Sequence, residues 1–107
     1  MANAGAAKAE APPMKVYGFC WFKRDQYVAA RAMMIDPQDL FDTYDEWLHE
    51  ARAIEAKAQS EGVRVMRIRF DPVSFAWFCR VQGILPDNQA RAAWAASEAK
   101  ERYDGKK

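Results

Sequence analysis

The sequence is poor in the residues that build most catalytic and metal centres. Among 107 residues there are one His and two Cys, at positions 20 and 79. Two thiols make neither a zinc knuckle nor a disulfide framework. The five Gly are scattered, so no glycine-rich phosphate loop is present. No apolar run approaches the ~20 residues of a membrane helix. An excess of one charge is also missing: sixteen Lys and Arg oppose fifteen Asp and Glu, for a net +1. That balance argues against a histone-like cation and against an acidic disordered tail.

What is present describes one soluble domain. Half the residues are hydrophobic and 29% are charged. Four Trp, four Tyr and six Phe can build a core without disulfides. Residues 1–13 (MANAGAAKAEAPP) carry no large apolar side chain beyond Met1 and end in Pro-Pro. Such a stretch cannot offset its ordering entropy, so a flexible leader is expected there. The domain is expected over 14–103, with a disordered tail at 104–107. The leader lacks the apolar core of a signal peptide, and unpaired thiols suit a reducing compartment, so the cytoplasm is expected.

The pattern along the chain predicts an α+β fold in the order β-α-α-β-α-α. Lys15–Phe22 (KVYGFCWF) reads as a strand with two apolar faces, Tyr17, Phe19 and Trp21 on one and Gly18, Cys20 and Phe22 on the other. Asp25 is placed to cap a short helix from Gln26 to about Met34, and Asp36-Pro37 to start a turn through Phe41. Thr43 and Glu46 match a capping box. The helix they open carries Tyr44, Trp47, Leu48, Ala51, Ile54 and Ala58 on one stripe and meets Gly62 as its terminator. Val63–Phe70 (VRVMRIRF) is the second strand, with Val65, Arg67 and Arg69 on one face and Met66 and Ile68 on the other. Asp71-Pro72 opens a helix to Gln82 that is apolar around most of its circumference, and so is expected to be the most buried. Asp87 caps an Ala-rich helix from Asn88 to about Arg102, anchored by Trp94. A helical crossover makes the two strands parallel if they are neighbours. A two-stranded sheet is marginal alone, so a second copy is expected to extend it or cover its second face.

These pieces, YGFCWF, DTYDEWLHEA, GVRVMRIRFDPVSFAWFCRVQGI and ARAAWA, resemble a group of short bacterial proteins of unknown function across residues 15–96. The resemblance implies no activity, cofactor or site.

Chemistry is sparse by the same reading. Glu46 and His49 have the spacing of di-iron carboxylate ligands, but such sites need that pair twice, and the helical wheel turns both toward solvent. Acids there suit the helix N-terminus instead. Cys20 and Cys79 read as small core hydrophobes. No cofactor and no metal are expected, and catalysis is disfavoured because acid, base and nucleophile do not converge. From Asp36 to Glu50 there are six acids and no Lys or Arg, so the rest of the chain carries +7. The candidate binding face is Tyr17, Phe19 and Trp21 beside Arg67 and Arg69. It is expected to be covered, either by the chain's own Trp94 helix or by a second subunit in a homodimer. Left open, its rings and Arg suit single-stranded nucleic acid. The first expectation is a non-enzymatic protein acting on itself or another protein, away from membranes. Nucleic-acid binding is the alternative, and a metal-dependent enzyme around His49 the third.

Overall fold

The computed structural model describes residues 15–104. The expected leader at 1–13 lies outside them, as does the tail from 105 onward. Two strands alternate with four helices: β1 (Val16–Trp21), α1 (Tyr27–Ala32), α2 (Tyr44–Ser60), β2 (Arg64–Arg69), α3 (Pro72–Gln82) and α4 (Asn88–Asp104). Short 3-10 turns occupy Arg24–Gln26 and Pro37–Asp39. The fold is α+β in the expected order, and β1 and β2 pair in parallel.

Each long element starts and stops on local chemistry. The Thr43 hydroxyl accepts from the Glu46 N–H at 3.2 Å, and the Glu46 carboxylate accepts from the Thr43 N–H at 3.2 Å. The capping box thus satisfies two otherwise orphaned donors of α2. Asp71 accepts from the N–H groups of Val73 and Ser74, and Pro72 presets the first turn of α3. Gly62 and Gly83 stop α2 and α3 at φ +83° and +67°, a left-handed conformation that costs glycine little.

The sheet is the middle of three layers. On the Gly18/Cys20 face lies α4. A Cβ built on Gly18 would stand 2.4 Å from the Ala95 carbonyl oxygen and 2.6 Å from the Ala99 Cβ. Only glycine lets α4 approach this closely, and Ala95, Ala99 and Trp94 are buried in the contact. On the Tyr17 face lies α2, whose Trp47 packs against Trp21 and Phe22 at 5.2 and 5.1 Å between ring centroids. At the C-terminal end of the strands, Phe22, Tyr27, Phe70, Phe75 and Trp94 form a continuous ring cluster. Each such side chain contributes roughly 1.5–3 kcal/mol by leaving water, and edge-to-face pairs add about 0.5–1.5 kcal/mol each. The Trp94 indole N–H donates to the Ser74 hydroxyl, so its one polar atom is satisfied inside the core.

Three local expectations are corrected. The first helix starts at Tyr27, because Arg24–Gln26 form a 3-10 turn in which the Gln26 side chain accepts from the Lys23 N–H, and Asp25 makes no cap. Asp36 does not cap the turn that follows it. Its carboxylate reaches across the fold to the start of α4, accepting from the Asn88 N–H at 2.8 Å and the Arg91 guanidinium at 3.0 Å. The largest correction is α3, which buries only Phe75 and Cys79 fully and turns Val73, Trp77 and Val81 outward.

Candidate interaction surface

The aromatic sheet face is half roofed. The register Tyr17↔Val65, Phe19↔Arg67, Trp21↔Arg69 puts the Trp21 end beside the Arg69 end, as parity requires. Tyr17 stacks on Phe19 at 5.6 Å, Phe19 meets Trp21 edge-on at 5.7 Å, and Trp21 continues into Trp47. Phe19 and Trp21 are half-buried against the core, whereas Tyr17 is 41% exposed and Arg69 is exposed. The Arg67 guanidinium lies 3.8 Å from the Trp21 ring centroid and donates twice to Glu55, at 2.7 and 2.8 Å. That two-pronged bond holds the Glu55 carboxyl below its ordinary range, against the opposing push of burial. Arg67 is therefore committed to α2: it seals one side of Trp21 while Trp47 seals another. The structure thus brings the five expected residues onto one face, with Tyr17 its exposed ring, Arg69 exposed, and Arg67 exposed but paired with Glu55.

A second surface was not anticipated. Along α3, Val73, Trp77 and Val81 recur every four residues and are 79%, 62% and 59% exposed. Past Gly83 the chain adds Ile84 and Leu85, both exposed. The Ile35 N–H donates to the Pro86 carbonyl at 3.0 Å, tying the exposed Ile35 backbone to the same stretch. Between Pro72 and Pro86 the only charged residue is Arg80. Large apolar side chains in a row, with Arg80 as the one charge beside them, differ from the scattered apolar atoms of an ordinary surface. The composition of this helix carried the signal, an apolar circumference with too few polar positions to face water.

The family model of a domain of unknown function, DUF8829, matches residues 23–106. The chain belongs to this family. No curated protein and no solved structure matches it. The DUF8829 match begins just past β1 and runs through β2, α3 and α4, so the α3 surface, Arg67 and Arg69 fall inside it and Tyr17, Phe19 and Trp21 outside.

The described titratable groups of this DUF8829 chain lie in separate surroundings. His49, Glu46 and Glu50 of α2 are exposed, and Asp45 is paired with Arg24 at 2.7 Å. Among the described residues no group of three His, Cys, Asp or Glu is arranged to hold a metal. Burial pushes the Cys20 thiol up to about 12, well out of the range of a nucleophilic thiolate, although Arg91 pulls the other way. Cys79 is raised by burial as well. Among the described residues, no helix is long and apolar enough to cross a membrane.

Proposed function

We propose that this DUF8829 protein works without catalysis, through protein–protein contact, and that its first partner is a second copy docked through α3. The observation that carries this reading is Trp77 standing exposed in line with Val73 and Val81. Side chains four apart form a ridge, and two such ridges interdigitate when helices cross at about −50°. A two-fold contact places the same stripe on both sides. With Arg80 the only charge between Pro72 and Pro86, two copies meet there with little like-charge repulsion. Both cysteines are free and buried, which fits a cytoplasmic setting.

Light scattering on the eluting protein at tens of micromolar tests the reading. The expected mass is twice 12.2 kDa. Trp77→Asp is expected to give the single-chain mass with an unchanged circular dichroism spectrum, because the side chain faces solvent in one copy. Wild-type protein running as a monomer at that concentration overturns the proposal. Single-stranded nucleic acid held by Tyr17, Phe19, Trp21, Arg67 and Arg69 is the weaker reading, because the Arg67 charge is already paired with Glu55. Fluorescence anisotropy of a labelled oligonucleotide at low salt, with an Arg69→Ala control, measures it.

A further inference from the structure

The free side of β1 forms the floor of a groove. Among the described residues the sheet has two strands, so β1 has β2 on one side only. The Arg64 N–H donates to the Lys15 carbonyl and the Phe70 N–H to the Trp21 carbonyl, each at 2.9 Å. In a parallel ladder the odd positions 15 to 21 therefore turn their main chain toward β2, and Gly18 and Cys20 turn theirs away. Both residues are buried, yet among the described residues nothing pairs with their outward N–H and C=O groups. Phe22, next in that row, is satisfied at its carbonyl by the Tyr44 hydroxyl. Buried main-chain groups left without partners are rare.

A cavity of about 190 Å³ lies against this edge, and its lining explains what fits. Residues from both faces of β1 line it, with Ala51 and Ile54 of α2 on one wall and Asn88 and Ala92 of α4 on the other. No β2 residue takes part, which places the cavity on the open edge. Arg91 also lines it, but its charge is matched by Asp36. Asp39 and Glu50 remain, and among the described residues neither has a cationic partner. They belong to the acidic run from Asp36 to Glu50.

We infer that this groove binds an extended segment of a partner protein, apolar with flanking Lys or Arg, which adds to β1 as a third strand. Main-chain bonds to Gly18 and Cys20 supply the affinity, the small walls accept alternate apolar side chains, and Asp39 and Glu50 select a basic segment over an acidic one. A second copy aligned edge to edge fits less well, because it brings the acidic α2 of each copy against the other.

The test uses the whole protein and a labelled peptide alternating Lys and Val, as long as β1. Expected is saturable binding by anisotropy at physiological salt, with slowed amide exchange at Gly18 and Cys20 on peptide addition. A Glu-Val peptide, or the Lys-Val peptide N-methylated at alternate residues, is expected to bind at least about tenfold more weakly. Asp39→Lys/Glu50→Lys changes two exposed side chains and is expected to cost about tenfold in affinity with the melting curve unchanged. Equal binding of the N-methylated peptide overturns the inference, since attraction is then charge alone. Protection of Gly18 and Cys20 amides in the free protein also overturns it: protection that persists on dilution assigns the edge to another segment of this chain, and protection that fades on dilution assigns it to a second copy.

Discussion

Removing the Asp36 carboxylate is expected to be the most damaging polar substitution in the molecule. Arg91 is 5% exposed and finds its counter-charge in Asp36, 55 residues away in sequence. Asp36→Ala takes away two things. The Asn88 N–H at the start of α4 loses its acceptor, a cap worth about 1 kcal/mol. The Arg91 guanidinium is left buried without its partner, which costs about 3–5 kcal/mol where a close pair is broken. The two losses share one carboxylate, so a total of roughly 4 kcal/mol is expected, a large part of the ~5–15 kcal/mol that holds a domain folded. Asp36→Asn keeps an acceptor for Asn88 but no charge, and should cost about half as much. The decisive variant is the double exchange Asp36→Leu/Arg91→Met. It removes both charges together and should lie within about 2 kcal/mol of wild type, well above the sum of the single effects. Urea unfolding followed by tryptophan fluorescence reads these proteins together with the single variants Asp36→Leu and Arg91→Met. A cost under about 1 kcal/mol for Asp36→Ala, or single costs that simply add in the double variant, refutes the account of a buried, mutually dependent pair.

Two further outcomes follow from the same structure. Gly18→Ala is expected to destabilise by about 3 kcal/mol or more, because the new methyl meets the Ala95 carbonyl and the Ala99 Cβ inside contact distance; a melting temperature equal to wild type shows that α4 does not rest on β1. Acid should unfold the protein through Asp36 and Glu55. For Asp36, burial pushes its carboxyl up, but the bonds from Arg91 and Asn88 outweigh it and leave it below the ordinary 3.8; Arg67 holds Glu55 below 4.5. Carboxyls held low in the folded state stabilise fully above their unfolded values and lose that stability as pH falls through the folded ones. Stability is therefore expected to be level from pH 7 to about 5 and to drop steeply below about 4, and equilibrium unfolding curves that stay level down to pH 3 contradict it.

Features settled within a few residues were legible from the sequence. The Thr43/Glu46 box, the Asp71-Pro72 start and the glycine stops at Gly62 and Gly83 each depend on neighbours along the chain, and each stands where its chemistry places it. Strand parity is equally local, so the grouping of Tyr17, Phe19 and Trp21 with Arg67 and Arg69 followed once the strands were parallel. What those side chains do was not local. Arg67 could be placed on the aromatic face, but its engagement by Glu55 depends on where α2 lies. Asp36 looked like a cap because Asp before Pro so often is one, and only the fold brings Asn88 and Arg91 to it.

The reading of α3 failed for a reason that bears on function. An apolar circumference is shared by a helix buried on all sides and by one buried on a single side that docks on the other, so periodicity cannot separate them. The number of layers can. A two-stranded sheet has two faces, and here α2 takes one and α4 the other. That leaves α3 at the end of the strands, where Phe75 reaches Phe70 and Trp94 and no further layer of the described chain covers its outer side. The side chains left outside, Val73, Trp77 and Val81, are as apolar as those within. A helix needing only one buried side has no physical use for apolar residues on the other, where charge would aid solubility. Their presence is accounted for when a second surface meets them, and this is the ground on which a second copy is proposed.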